Sequence, residues 1–94
     1  MKEERRFDFG DVTLSIDVDT WESETSYYAG QVRLMAYGKG IVSDAMHISY
    51  NFKSAEQAEK FYRNFRDIDA LAFINISNQI AENETRGVVV PVAC

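Results

Sequence analysis

The chain has 94 residues, 46% of them hydrophobic and 27% charged, a balance that fits one small globular domain and excludes a wholly disordered chain. No apolar run reaches the ~18 residues of a membrane helix. The opening Met1-Lys2-Glu3-Glu4-Arg5-Arg6 has no apolar stretch behind it, so no signal peptide is expected. The single cysteine, Cys94, leaves no partner for an internal disulfide or a cysteine-held metal, and the cytosol is the expected compartment. The net charge of −5 is concentrated: residues 7–32 hold Asp8, Asp11, Asp17, Asp19, Glu22 and Glu24 and no Lys or Arg, whereas beyond them acids and bases cancel.

In chain order, Phe7 and Phe9 alternate with Asp8, and Val12, Leu14, Ile16 and Val18 alternate with polar residues. Both runs have the period of a half-buried strand. Gly10-Asp11 between them suits a two-residue hairpin that places Phe9 opposite Val12 and Phe7 opposite Leu14. A bulge at Gly10 within one longer strand gives the same facing. Residues 19–26 form a polar loop carrying Trp21. A second alternating run extends from Tyr27 to Tyr37 and a third from Val42 to Phe52, joined by Gly38-Lys39-Gly40. A three-residue loop there sets Val32 opposite Met46 and Tyr28 opposite Tyr50, with the even-numbered apolar residues on one face.

Ser54-Ala55-Glu56-Gln57 has the form of a capping box, and Ala55, Ala58, Phe61, Tyr62 and Phe65 recur at helical spacing. A helix is predicted from Ala55 to about Arg66, with Phe61 in the core together with Met46, Ile48 and Tyr50. Ala70–Ile80 reads as a strand on the strength of Phe73-Ile74-Asn75-Ile76. A helix with Ala70, Phe73, Ile74, Ser77, Ile80 and Ala81 on one stripe stays open as the alternative. A polar turn over residues 81–87 and a last strand from Val88, which Pro91 either confines to an edge or ends, complete the reading. The expected fold is α+β, a single domain: an antiparallel sheet of three to five strands with one main helix packed on one face.

Catalytic chemistry is scarce. His47 is the only histidine and lies on an outward strand position, with no nucleophile motif beside it. Asp17 and Asp19 share a strand face ~7 Å apart and could hold Mg²⁺ with a substrate phosphate, but no phosphate-binding loop accompanies them. No cofactor is therefore expected. The outward positions of the second run are Tyr27, Ala29, Gln31, Arg33, Met35 and Tyr37, with Trp21 just before. Tyr, Trp, Met and Arg are the types enriched where proteins meet. A layer formed by residues 68–94 could equally cover this face.

The segment Phe52-Lys53-Ser54-Ala55-Glu56-Gln57, a strand-to-helix junction followed by Phe61-Tyr62, resembles the corresponding junction in the small phage anti-CRISPR inhibitors of type I-F surveillance complexes. The resemblance spans Asn51 to about Phe65 and assigns no functional residue. It implies a non-catalytic inhibitor of a nucleic-acid-binding machine.

Two functions are expected from different classes. The first is a protein-binding inhibitor of the anti-defence or immunity type, contacting a basic partner through Asp11, Asp17, Asp19, Trp21, Tyr27, Arg33, Met35 and Tyr37, without direct nucleic-acid or membrane contact. Alternate strand carboxylates repeat every ~6.8 Å against one phosphate per ~3.4 Å along a DNA strand, so aromatic anchors must supplement the charge. The second is a small-molecule or nucleotide-binding domain, including a weak metal-dependent enzyme using Asp17 and Asp19. So short a chain leaves little room for its pocket, which a homodimer interface could supply.

Overall fold

The structure is a computed structural model and describes residues 1–22, 27–41 and 45–85. Four strands, β1 (Lys2–Asp8), β2 (Thr13–Thr20), β3 (Gly30–Tyr37) and β4 (Ala45–Phe52), precede two helices, α1 (Ala55–Asn64) and α2 (Asp67–Thr85). The strands form one antiparallel sheet in the order β1-β2-β3-β4. This is the α+β fold expected, with α1 packed on the sheet. The last strand expected, from Val88, lies outside the described residues.

The β1–β2 connection is the hairpin, not the bulge. Phe7 pairs with Leu14, and the Phe9 N–H donates to the Val12 carbonyl at 2.8 Å. Gly10 takes φ 83°, which a side chain would disfavour, and Asp8 Oδ1 accepts its N–H.

The β3–β4 register differs from the expected one. Val32 pairs with Tyr50, Leu34 with Ile48 and Ala36 with Met46, a displacement of four residues. The connection between the strands is longer than three residues because Ile41 is drawn into the core and the Gly40 N–H donates to the Asp11 carbonyl. An even displacement preserves side-chain parity, so the even-numbered residues still share one face.

That inner face holds the core. Leu14, Ile16, Val18, Val32 and Ala36 are buried beneath Ala58, Tyr62 and Phe65 of the α1 region and Ala70 and Ile74 of α2. Helix α1 starts where predicted: the Ser54 side chain accepts the Gln57 N–H at 3.3 Å. Its approach is set by Gly30, since a Cβ there would lie 2.7 Å from Ala58 Cβ. The rotation of α1 differs from expectation. Tyr62 and Phe65 are buried, whereas Phe61 is 44% exposed.

Arg5, an inner-face residue of β1, closes the other end of α1. Its guanidinium donates to the carbonyls of Tyr62 and Phe65 and lies 4.7 Å from the Tyr62 ring centroid. This cation satisfies carbonyls that the helix end leaves open. Burial pushes the Tyr62 phenol above its ordinary value, opposed by the charge of Arg5.

Ala70–Ile80 is helical, the alternative to the strand, and residues 81–85, expected in a polar turn, continue α2, while residues 86 and 87 lie outside the described residues. Ala70, Ile74, Ser77 and Ala81 are buried at helical spacing. The Arg66 N–H is capped by Asp69 Oδ2 at 2.9 Å, with Asp67 and Asp69 in the first turn. The strand-forming side chain Ile76 stays outside the buried stripe. Both helices thus contribute to the same inner-face core.

Candidate binding surfaces

The outer sheet face is built from the odd-numbered residues of β2, β3 and β4 and the even-numbered residues of β1. Across it, Lys2 pairs with Asp19, Glu4 with Asp17, Asp17 with Arg33, and Ser15 with Met35, which in turn faces His47. Because α2 joins the inner core, residues 67–85 do not form the covering layer that was open as an alternative. Met35 is 42% exposed at the centre of this face, and Tyr37, opposite Thr13, is half-buried beside it.

The carboxylates of the face are engaged. Arg33 Nε donates to Asp17 Oδ1 at 3.0 Å, Lys2 Nζ lies 4.0 Å from Asp19, and Arg6 Nε donates to Glu4 at 2.8 Å. The Asp17 hydrogen bond and charge hold the Arg33 guanidinium pKa above its ordinary value. The acidic strand anticipated from β2 is therefore a mixed ion-pair lattice whose charges largely cancel locally. A shallow depression of about 310 Å³ crosses it, lined by residues that include Glu4, Asp17, Asp19 and Arg33. Among the described residues no group of three or more His, Cys, Asp or Glu side chains is arranged to hold a metal ion.

The eight residues singled out from the sequence do not form one patch. Asp17, Asp19, Arg33, Met35 and Tyr37 share the outer face. Asp11 sits at the β1–β2 turn, where its carbonyl meets Gly40. Trp21 and Tyr27 lie at the opposite end of the strands. There the Trp21 N–H donates to Ala29, and Lys53 Nζ stands 4.8 Å from the centroid of the exposed Tyr27 ring. Tyr27 precedes β3 and makes an edge-on contact with Tyr28. The Gln31 side chain donates to Asn51, its cross-strand partner on β4.

A second surface was missed by sequence reasoning because it was assigned to the core. Ile48 and Tyr50 are 53% and 65% exposed, although they lie on the inner face, and only Met46 among the three β4 residues expected there is half-buried. Helix α1 runs from the end of β4 toward β1, so Arg5 and Tyr62 meet while the middle of β4 stays open. A groove of about 420 Å³ results, with Leu34, Ile48, Tyr50, Phe52 and Phe61 in its apolar lining. The signal that could have exposed this is simple: four strands present more inner-face width than one ten-residue helix can cover.

Among the described residues no helix is long and apolar enough to cross a membrane. Compared with known proteins, the chain matches no family model, no curated protein and no solved structure.

Proposed function

We propose that this chain is a non-catalytic, protein-binding inhibitor of the anti-defence or immunity type, acting on a partner with a basic, nucleic-acid-binding surface. The observation that supports the reading is the outer sheet face, which no helix among the described residues covers, with Met35 exposed at its centre beside Tyr37 and the Arg33–Asp17 pair. An apolar and aromatic centre ringed by charges is the composition that protein interfaces favour. The resemblance of the β4–α1 junction to anti-CRISPR inhibitors points the same way.

The ion-pair lattice changes how such an interface would work. A partner arginine must compete with Arg33 for Asp17, so charge contributes to steering and orientation more than to affinity. Met35 and Tyr37 then supply the anchoring contacts. The small-molecule and metal reading is weaker, because Asp17 and Asp19 already hold cationic side chains of the same sheet.

Paired baits test the proposal. The wild-type chain and a Met35→Asp, Tyr37→Ala variant are presented to an extract of the native host, and retained proteins are identified by mass spectrometry. The expected result is a basic protein held by the wild type alone, whose nucleic-acid binding falls when the wild-type chain is added. Equal retention by both baits would remove the outer face from the reading. A captured partner that still binds nucleic acid normally would remove inhibition.

A further inference from the structure

Strand β4 stands at an edge of the sheet, and the hydrogen-bond ladder determines which backbone groups that edge presents. The Phe9 N–H donates to the Val12 carbonyl and the Thr20 N–H to the Met1 carbonyl. Even-numbered residues of β2 therefore turn their N–H and C=O groups toward β1, and odd-numbered ones turn them toward β3. The next two registers pair residues of equal parity, so odd residues join β2 to β3 and even residues join β3 to β4. On β4 the backbone groups of His47, Ser49 and Asn51 then point away from β3. Such an edge is a template for another strand, and proteins usually blunt it with charges, proline or a bulge. Strand β4 has no charged residue and no proline, and its pairing with β3 runs without interruption from Ala45 to Phe52.

We propose that this edge takes the β4 strand of a second copy of the chain, antiparallel, about a twofold axis normal to the sheet. Self-complementarity decides the occupant. Opposed side chains in an antiparallel pair share a face, so twofold pairing of identical edges sets residues of equal parity opposite one another. The inner face of one copy is thereby continued by the inner face of the other. Centred on Ser49, the pairing sets Ile48 opposite the partner's Tyr50, a β-branched–aromatic pair of the kind that stabilises sheets. It sets Met46 opposite the partner's Phe52, a sulfur–aromatic contact. It also brings the outward N–H and C=O groups of His47, Ser49 and Asn51 onto the same groups of the partner, donor to acceptor.

The apolar surface beside the rim favours a copy over a foreign strand. Ile48 and Tyr50 are largely exposed in the single chain and line the groove with Phe61. Any strand can satisfy the backbone, but a copy also returns this patch to itself, and the two grooves merge across the axis. Charge agrees: the chain carries −5, none of it on β4, so two copies meet here without local repulsion. Helix α1 leads away from this rim toward Arg5 of β1. Pairing leaves the outer face open and does not depend on the function proposed for it.

Sedimentation equilibrium and amide hydrogen exchange on the full chain test the pairing, from about 1 μM to about 1 mM, the range in which small interfaces form. The expected result is a rise from the mass of one chain to that of two. The amides of His47, Ser49 and Asn51 should slow about tenfold or more as the pair forms, while those of Ile48 and Tyr50, bonded to β3, stay slow throughout. A one-chain mass at every concentration would overturn the proposal, as would assemblies larger than two. Protection of the rim amides that does not change with concentration would also overturn it, because a segment of the same chain would then hold the edge. Ser49→Pro removes an N–H that points off the sheet and none that joins β3. It should keep the mass at one chain with an unchanged circular dichroism spectrum, and a variant that still pairs would sink the proposal. Tyr50→Lys, at a position 65% exposed, gives a readout that spares the backbone. It should weaken association about tenfold or more, and unaltered association would equally count against the second copy.

Discussion

Strands β2 and β4 carry the same alternation and place their even-numbered residues on the same sheet face, yet they meet different environments. Leu14, Ile16 and Val18 of β2 are sealed under the helices, whereas Ile48 and Tyr50 of β4 stand largely open. Periodicity determines which face a side chain joins. It does not determine whether anything lies over that face. Coverage depends on the path of α1, and that path is fixed by two contacts remote from both strand centres: Gly30 against Ala58, and Arg5 on the carbonyls of Tyr62 and Phe65.

The largest test of the contrast compares two identical truncations. Ile16→Ala should destabilise the chain by about 2–5 kcal/mol, the usual range for a fully buried isoleucine. Ile48→Ala should cost far less, nearer the ~0.5 kcal/mol of an ordinary exposed position, because its side chain is 53% exposed. Urea melts of the wild type and the two variants measure both costs, and equal values for Ile16 and Ile48 would dissolve the distinction between the strands.

A smaller effect is expected where the helix meets the sheet. Gly30→Ala puts a methyl group 2.7 Å from Ala58 Cβ, so α1 must move outward at a cost of about 1–3 kcal/mol. Thermal unfolding reads the loss, and near-wild-type stability would show that the Gly30 contact does not set the helix path. Ser54→Ala removes the side chain that accepts the Gln57 N–H and should cost about 1 kcal/mol. Its effect should be confined to the first turn of α1, as reported by amide hydrogen exchange at Gln57. Uniform loss of protection along α1 would argue instead that the cap governs the whole helix.

Local chemistry was legible in the sequence, and distances between elements were not. The Gly10-Asp11 hairpin, the Ser54 cap and the parity of the sheet all depend on neighbours within a few residues, and the residues named for them perform those roles. The β3–β4 register missed by four because the burial of Ile41 and the Gly40–Asp11 hydrogen bond are tertiary events. Ala70–Ile80 was assigned to a strand because Phe73-Ile74-Asn75-Ile76 has strong strand propensity, yet burial of Ala70, Ile74, Ser77 and Ala81 on one stripe outweighs it. The helical stripe read as the alternative was the correct signal except at Ile80, which is 55% exposed, and Asp67 and Asp69 at the first turn support it. On the outer face, the sequence placed Asp17, Asp19, Arg33, Met35 and Tyr37 together. It could not show that Arg33 neutralises Asp17, because cross-strand partners become neighbours only once the register is known.

The two rims of the sheet differ in a way that bears on self-association. At β1 the rim runs Lys2-Glu3-Glu4-Arg5-Arg6, five charged residues in succession, while β4 from Ala45 to Phe52 contains no Lys, Arg, Asp or Glu. Charges along a rim oppose addition of a further strand, since their hydration must be stripped on contact. Charge therefore opposes strand addition along β1 and does not oppose it along β4. A unit with a single joinable rim cannot polymerise: two copies meeting β4 to β4 about a twofold axis use both open rims and leave charged β1 strands outermost. The charged first strand is in this sense a chain terminator: strand addition that uses only β4 can give a closed pair and not a fibril.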